Sequence, residues 1–338
     1  MKAALYARYG PPEVVQIADV AKPVPKDNQA LIRVRAASVN PLDWHFMRGT
    51  PYAVRIAAGL RKPKDQRLGV DVAGQVEAIG NNVTQFRPGD AVFGSCHGAF
   101  AEYACASDAQ LVLKPENVTF EQAAAAPVAA FTALQGFRLA GLTANEHLQP
   151  RLKVLVNGAA GGVGTFAVQI AKSFGAEVTG VCSTRNLDMV RSIGADHVID
   201  YTQQDFTKTG SSNQQRYDIF FDCVGNHSLS ASARVLNPKG SHVPAGGSTD
   251  VWMFRPIARM ITALVLSRLV TRKLIPFFMA KSSKDDLTVM HNLMQTGKVI
   301  PVIDRRYSLT ELPEAIRYLE TGHARGKVII ALEDQNNS

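Results

Sequence analysis

Asn157-Gly158-Ala159-Ala160-Gly161-Gly162-Val163-Gly164 is the stretch that decides the fold of this chain of 338 residues. It follows a strand-like run, Lys153–Asn157, and leads into an apolar helix-like run, Val163–Phe174. A glycine-rich turn between a buried strand and a helix is typical of a dinucleotide-binding fold. Ala159 stands where the first glycine of the usual fingerprint is found, so the match is imperfect.

The turn also predicts where phosphate groups would bind. The first amides of a helix point toward its N-terminal end and attract anions. Gly161 would let the backbone approach a pyrophosphate, and Gly164 would let the helix lie close to the strand. We therefore expect phosphate contacts at Ala160, Gly161, Gly162 and Val163. A purely structural turn is the alternative.

Strand-like and helix-like segments alternate after this turn, which indicates a parallel sheet with helices on both faces. Before residue 120 the sequence consists of short strands separated by glycine and proline, as in a small, partly open β-barrel. We expect a barrel domain over 1–120 and 281–338 and a doubly wound Rossmann domain over 121–280. Within them we expect a helix over Phe120–Leu139, a strand over Ser241–Ala245 and a strand over Val299–Ile303.

The end of the second strand of the parallel sheet indicates which dinucleotide is bound. Folds specific for NAD place Asp or Glu there, bound to the ribose hydroxyls. Here the strand ends in Val181-Cys182-Ser183-Thr184-Arg185, without a carboxylate. Ser183 offers a hydroxyl and Arg185 a positive charge for a 2′-phosphate. These residues favour NADPH, although Arg185 as a solvated residue at a helix start is an alternative.

Composition restricts the remaining classes. The chain has 37 Lys and Arg against 29 Asp and Glu, a net charge of +8 that favours anionic partners. No Cys/His finger or RNA-binding aromatic motif accompanies the charge, so we expect no specific nucleic-acid binding. The four cysteines lack the spacing of a metal knuckle or a disulfide framework, and the N-terminus lacks an apolar leader. We expect free thiols and a cytoplasmic location.

Five further motifs, in order along the chain, carry a family resemblance. They are Ser38–Asp43 (SVNPLD), Gly69–Val76 (GVDVAGQV), Gly98–Tyr103 (GAFAEY), Asp222–Gly225 (DCVG) and Arg325–Val328 (RGKV). With the glycine-rich turn they resemble the zinc-independent quinone oxidoreductase branch of the medium-chain dehydrogenase/reductase superfamily. The resemblance implies an α/β protein with a GroES-like barrel domain and a Rossmann domain. It also implies a homodimer.

The sequence departs from the zinc alcohol dehydrogenases of that superfamily. Those enzymes carry a cysteine ligand where this chain has Asn40, and a His-Glu pair where it has Val70-Asp71. A catalytic zinc needs three suitable protein ligands and one open position. The four-cysteine loop that holds a structural zinc is also missing. We therefore expect no zinc.

The resemblance implies further cofactor contacts. Thr132 matches a threonine near the nicotinamide carboxamide, and Tyr201 a tyrosine near the 2′-phosphate. Loops beside the nicotinamide and its ribose, and a basic residue near the cofactor, match Cys223, Val224, Gly246, Gly247 and Lys327. Tyr201 as a half-buried surface aromatic and Lys327 as a solvated strand flank are the alternatives.

Without zinc, the favoured reaction is hydride transfer from NADPH to a quinone or an α,β-unsaturated carbonyl, whose product charge is delocalised. We expect Asn40 and His45 to contact a small hydrophobic substrate, with Tyr52 as a further donor and Asp43 as a structural hydrogen-bond acceptor. His45 replaces a tyrosine common in the family, and a passive wall residue is its alternative role.

Two alternatives concern the whole chain. One is an NADPH-binding protein with little turnover that acts through nucleic-acid or membrane-surface contact, and the other is a zinc-type alcohol dehydrogenase. The segment 251–281 mixes large apolar and basic residues. Core and dimer-interface packing is one interpretation. A cover over a hydrophobic substrate, with peripheral membrane contact, is the other.

Overall fold

The computed structural model describes residues 1–144, 151–208, 216–246, 273–275 and 278–332. Most of the segment 251–281, and Gly247, lie outside the described residues. The chain forms two compact units. The mixed-sheet unit comprises Met1–Ala129, Lys281–Gly297 and Pro301–Ser338, and the parallel-sheet unit comprises Ala130–Ala280 and Lys298–Ile300.

Among the residues described, the mixed-sheet unit contains nine strands and five α-helices. The strands are β1 (Lys2–Tyr6), β2 (Val15–Asp19), β3 (Gln29–Val39), β4 (Asp71–Ile79), β5 (Ala91–Ser95), β6 (Tyr103–Ser107), β7 (Leu111–Leu113), β14 (Ile303–Ser308) and β15 (Lys327–Ala331). The helices are α1 (Pro41–Arg48), α2 (Val54–Ala58), α3 (Phe120–Ala125) and α9 (Leu312–Glu320). A further helix of this unit, α8, covers Lys284–Gln295.

The long strand β3 organises this unit. It pairs antiparallel with β4 along one side, while β6 and β15 pair with its first and last parts on the other side. The sheet order is β14-β15-β3-β4-β5-β7, and β14 and β15 are parallel. Ile32, Val72, Val92 and Val328 from four of these strands are buried in one hydrophobic core. Helix α3 contacts β3, β4 and β5, so the unit continues to Ala129 rather than ending at residue 120.

In its described residues, the parallel-sheet unit contains six strands in the order β10-β9-β8-β11-β12-β13, all parallel. They are β8 (Lys153–Asn157), β9 (Glu177–Cys182), β10 (His197–Asp200), β11 (Tyr217–Asp222), β12 (Leu236–Pro244) and β13 (Lys273–Leu274). Its helices are α5 (Gly162–Ser173), α6 (Leu187–Ser192) and α7 (Leu229–Arg234), with α4 (Pro127–Ala140) spanning the division. The order reverses between β8 and β11, which is the doubly wound pattern. The predicted α/β class is confirmed.

Some predicted elements differ in detail. The helix predicted over Phe120–Leu139 is two helices, because Pro127 lacks the N–H that would continue α3 and begins α4 instead. The strand predicted over Val299–Ile303 is wrong, since β14 begins only at Ile303. There the side-chain amide of Gln169 accepts from the N–H of Ile300 at 2.7 Å and donates to its carbonyl at 3.1 Å, so it substitutes for a neighbouring strand.

A helix that crosses a bilayer needs about 20 predominantly apolar residues. No helix in the part of the chain that the structure describes combines the length and the apolar character needed to cross a membrane.

Candidate functional site

The turn after β8 needs glycine at two positions. Gly158 has a φ of +78°, in the left-handed region that side-chain-bearing residues rarely adopt. The tight turn therefore falls one residue before Ala159, and the imperfect fingerprint has a structural explanation. A Cβ on Gly164 would lie 2.0 Å from the carbonyl oxygen of Gly158. Gly164 thus allows the close approach of helix and strand that the sequence predicted.

Gly161 is different, because no contact in the described part of the chain requires a glycine there. Its φ is −83°, and among the described residues a Cβ would meet only the Gly158 carbonyl oxygen, at 3.4 Å. It is the N-cap of α5, and helical geometry leaves the amides of Gly162 and Val163 without an intrahelical acceptor. A glycine in open space next to these amides fits the close approach of an anionic group.

The ends of β8 and β11 are joined by Asp222. This residue begins the Asp222–Gly225 motif, and the sequence alone predicted no role for it. Its Oδ1 accepts hydrogen bonds from the Asn157 side chain at 2.9 Å and from the N–H groups of Val224 and Gly225 at 3.1 and 2.8 Å. Burial opposes ionisation of this carboxyl, but the nearby His242 ring, whose Nε2 lies 3.5 Å from Oδ2, and the hydrogen bonds from Gly225 and Asn157 outweigh burial and lower the pKa of Asp222. Asp222 therefore holds the loop that follows β11.

Three of the predicted cofactor residues meet at this edge of the sheet. Cys223 and Val224 follow β11, and Gly246 follows β12. A Cβ on Gly246 would lie 2.0 Å from the carbonyl oxygen of Cys223, and one on Gly158 would lie 2.8 Å from a methyl group of Val224. The loops after three neighbouring strands are thus in direct contact, at the edge where doubly wound sheets bind their ligands.

A second group lies at the ends of β9 and β10. Ser183 accepts a hydrogen bond from the side chain of Asn186 at 3.1 Å, and Arg185 is exposed. The backbone of Tyr201 donates to the carbonyl of Cys182 at 3.1 Å, and its side chain is 55% exposed. Ser183, Arg185 and Tyr201 thus lie at adjacent strand ends, and their contact with a 2′-phosphate stays a prediction. Thr132 lies on α4, half-buried.

Asp200, a carboxylate at the end of β10 rather than of β9, was not predicted as a site residue from the sequence. It accepts from the Thr184 hydroxyl at 2.5 Å and from the hydroxyl and N–H of Thr202 at 2.7 and 2.9 Å. Hydrogen bonds from Thr184, followed by those from Thr202, lower its pKa. Its register opposite Cys182 was the available signal, but it requires knowing the strand order.

The mixed-sheet unit holds a buried polar cluster formed by Asn40, Asp71 and Lys327. The Lys327 Nζ donates to Asn40 Oδ1 at 2.5 Å and lies 3.6 Å from Asp71 Oδ2. The Asn40 Nδ2 donates to the same Asp71 oxygen at 2.9 Å and to the Ser38 carbonyl at 3.2 Å. The other Asp71 oxygen accepts from the Val128 N–H at 3.0 Å.

This cluster changes the interpretation of two predicted site residues. Lys327 is only 3% exposed, so the alternative of a solvated strand flank is wrong. Both polar atoms of the Asn40 side chain have partners within the chain, and its contact with a substrate stays a prediction. Burial lowers the pKa of Lys327 and raises that of Asp71, while the charge of each opposes the shift of the other.

Helix α1 connects the cluster to His45. Asp43 accepts from the Asn40 N–H at 2.7 Å, which confirms its predicted structural role. Burial, reinforced by the charge of Asp71, raises the pKa of Asp43 to about 7. The His45 ring lies against the Trp44 ring in a tilted arrangement, with the centroids 3.7 Å apart, and its Nδ1 lies 2.7 Å from the Thr50 carbonyl oxygen.

The surroundings of His45 determine its tautomer and its protonation state. Since a carbonyl only accepts, Nδ1 carries the proton and Nε2 remains for another partner. Burial is the main cause that lowers the pKa of His45, so the neutral ring is favoured at neutral pH. Tyr52 is 45% exposed, with the Arg55 guanidinium 4.9 Å from its ring.

The donor atoms do not fit a zinc ion. Asn40 and Asp71 bind the Lys327 ammonium, and Val70 has no donor. No three His, Cys, Asp or Glu side chains come together as a metal-binding group in the described ranges. The cysteines at 96, 105, 182 and 223 are free thiols, as predicted. Cys96 is buried whereas the neighbouring His97 is exposed.

Two family models match the chain. The model of the alcohol dehydrogenase GroES-like domain covers residues 26–116, and the model described as zinc-binding dehydrogenase covers residues 193–330. The second description names zinc, but the side chains of Asn40, Val70 and Asp71 do not fit a zinc site.

Similar proteins cover nearly the whole chain. The 2-methylene-furan-3-one reductase of Solanum lycopersicum is 33% identical over 98% of this chain and 79% of its own. The NADPH-dependent alkenal/one oxidoreductase of Arabidopsis thaliana is 31% identical with the same coverage. The structure of the quinone oxidoreductase from Coxiella burnetii is 30% identical, covers 98% of this chain and 99% of that one, and has a TM-score of 0.82.

Proposed function

The chain is an oxidoreductase that belongs to the quinone oxidoreductase-like branch of the medium-chain dehydrogenase/reductase superfamily, and we propose that it reduces a quinone or an α,β-unsaturated carbonyl with NADPH, without zinc. The observation that carries the proposal is the cradle at the ends of β8, β11 and β12. There Gly161 leaves room beside the open amides of α5, and Asp222 holds the adjoining loop.

This cradle and the ends of β9 and β10 would hold the cofactor together. The amides of Gly162 and Val163, preceded by Ala160 and Gly161, would bind the pyrophosphate. Ser183, Arg185 and Tyr201 would surround the 2′-phosphate, and the preference for NADPH rests on Arg185. Cys223, Val224 and Gly246 would line the nicotinamide side. Thr132, Gly247 and Lys327 remain proposed contacts on the strength of the resemblance.

NADPH would supply the hydride, which adds to the β-carbon of an enone or to a quinone. The chain then has to orient the acceptor and provide a proton for the oxygen or α-carbon that becomes negative. We propose Asn40, His45 and Tyr52 for these tasks. Asn40 is oriented by Lys327 and Asp71. His45 would accept at Nε2 in its neutral form and donate a proton only once protonated.

The absence of a zinc requirement is part of the proposal. It is supported by the Lys327 ammonium, which already binds the Asn40 oxygen and lies beside the Asp71 carboxylate. A buried ammonium next to these donors disfavours a divalent cation by charge repulsion.

The test is NADPH oxidation, followed by the loss of near-ultraviolet absorbance, against a panel of quinones and α,β-unsaturated carbonyls. NADH runs in parallel, and a chelator and metal analysis accompany each assay. We expect chelator-resistant turnover with NADPH preferred over NADH. Binding of NADPH without reduction of any acceptor would favour the low-turnover alternative, and chelator-sensitive alcohol oxidation would contradict the assignment.

Assembly and location are two further parts of the proposal. The family resemblance suggests a homodimer, and the composition suggests the cytoplasm. Light scattering on the purified protein and fractionation of the source cells test these two points separately.

A further inference from the structure

One short stretch of the mixed-sheet unit exposes apolar and basic side chains together. Ile56 and Leu60 are 74% and 72% exposed, and the basic residues Arg61, Lys62 and Lys64 that follow are exposed as well. We call these five residues the basic–apolar surface. Large exposed apolar side chains are ordinary when scattered, but two of them beside three cations form a combination typical of interaction sites.

The backbone brings the five side chains into one neighbourhood. The Lys64 N–H donates to the Ala58 carbonyl at 2.7 Å, so the chain folds back onto α2. Gly59, at the turn, has a φ of +123°, and a Cβ there would lie 2.1 Å from the carbonyl oxygen of Lys62. The basic residues are therefore held against the end of the helix that carries Ile56.

The stretch is also held in place by contacts of Tyr9 and Arg55. The Tyr9 hydroxyl donates to the Gly59 carbonyl at 2.6 Å. The Arg55 guanidinium lies 4.6 Å from the Tyr9 ring, and its Nε donates to the Gly49 carbonyl at 2.9 Å. A surface that is already ordered loses little conformational entropy when a partner binds it.

The charge of this surface is not neutralised by the chain itself. Arg61, Lys62 and Lys64 form no ion pair with any residue in the described part of the chain. The adjacent carboxylate in the chain, Asp65, is bound on both oxygens by Arg67 at 2.9 and 2.7 Å. Three positive charges thus remain available to an anionic partner.

We propose that the basic–apolar surface is a docking face for an anionic lipid bilayer. Arg61, Lys62 and Lys64 bind lipid phosphates, and Ile56 and Leu60 enter the boundary between headgroups and acyl chains. Both contributions are needed for peripheral binding, since apolar insertion and attraction to anionic lipid add together. The inference is independent of the proposed reaction.

A second copy of the chain is a poorer occupant. A two-fold contact would place three cations of one copy opposite three of the other, which costs association energy. An RNA would use the cations but would leave Ile56 and Leu60 without apolar contacts. The combination of side chains therefore favours lipid.

The test is sedimentation of the full chain with vesicles of phosphatidylcholine alone and of phosphatidylcholine mixed with phosphatidylglycerol. We expect binding only to the vesicles that contain phosphatidylglycerol, weakening as salt rises. Lys62→Glu with Lys64→Glu should lower the partition coefficient at least about tenfold. The control pair, Lys26→Glu with Lys239→Glu, removes the same net charge elsewhere and should bind nearly as the natural chain does.

A second pair of variants tests the apolar contribution. Ile56→Ser with Leu60→Ser should lower the partition coefficient by about tenfold. The control is Val24→Ser with Ile300→Ser, which changes side chains that are 85% and 57% exposed elsewhere. Unfolding temperatures equal to that of the natural chain establish that all four variants fold.

Three results would overturn the proposal. The first is failure to bind phosphatidylglycerol vesicles at low salt. The second is equal loss of binding in the surface and control pairs. The third is binding of RNA, but not of vesicles, that depends on Lys62 and Lys64.

Discussion

The two candidate sites are built in opposite ways. In the parallel-sheet unit, the turn after β8 depends on missing side chains, since Gly158 and Gly164 occupy positions where a Cβ is strained or would collide. In the mixed-sheet unit, the cluster around Lys327 depends on charged side chains that are buried together. The first arrangement leaves room for a ligand, and the second fills its own space. The difference shows which changes each site tolerates.

The largest effect is expected in the charged cluster. Lys327→Met should lower the free energy of unfolding by about 3–5 kcal/mol, because it leaves the buried Asp71 carboxylate without its cation. Adding Asp71→Asn should restore part of the loss. Urea unfolding measures both, with the exposed Lys239→Met as control. A single variant as stable as the natural chain would show that the ammonium does not compensate Asp71.

The glycine turn should respond less strongly but more selectively. Gly164→Ala should cost about 1–3 kcal/mol of unfolding free energy, because its Cβ would press on the Gly158 carbonyl. Gly161→Ala should leave stability almost unchanged and weaken NADPH binding by at least about tenfold, because the methyl group would occupy the phosphate approach. Calorimetry measures the unfolding free energy of both variants, and titration measures their affinity for NADPH. Unaltered NADPH binding by Gly161→Ala would contradict the proposed position of the pyrophosphate beside Gly161.

A third change tests cofactor choice at the ends of β9 and β10. Arg185→Ala should weaken NADPH binding by about tenfold, roughly 1.4 kcal/mol, and leave NADH binding unchanged. The matched control is Arg191→Ala, which removes an exposed arginine that pairs with Asp188. Equal losses for both nucleotides would mean that Arg185 does not bind a 2′-phosphate.

The smallest effect concerns pH. The folded-state pKa of His45 is lowered, so its contribution to stability is present above the unfolded pKa of about 6.5 and is lost as pH falls through the folded value. His45→Gln should therefore reduce the loss of unfolding free energy between pH 7.5 and pH 5, by less than about 1.4 kcal/mol. His97→Gln is the control at an exposed histidine. A variant with the same pH dependence as the natural chain would contradict the lowered pKa.

The two regions also differ in how far sequence alone predicts them. The glycine turn and the strand before it are local in sequence, and β8 has the predicted bounds, Lys153–Asn157. The Lys327 cluster joins residues far apart along the chain, and a buried lysine is rare enough that a solvated flank was a reasonable alternative. Its pairing follows from the register of β3 with β4 and β15, which no local pattern reveals.

The predicted position of strand β14 is wrong for a related reason. Its core sequence, Asp304-Arg305-Arg306, is charged and largely exposed, so it lacks the apolar alternation that indicates a strand. The apolar run before it satisfies that pattern but contains Pro301 and bonds to Gln169 instead. An apolar run therefore does not by itself establish a strand, because the backbone of Ile300 is hydrogen-bonded by a side-chain amide rather than by a neighbouring strand.

That Gln169 bridge has a consequence for hydrogen exchange. The Ile300 side chain is 57% exposed and the residue belongs to no helix or strand, yet its amide hydrogen is bound to the Gln169 side chain from α5. Its deuterium uptake should therefore be slow and should follow the opening of α5 rather than of any sheet. A single amide at the surface thus becomes a reporter for the helix whose first turn begins at the glycine-rich loop.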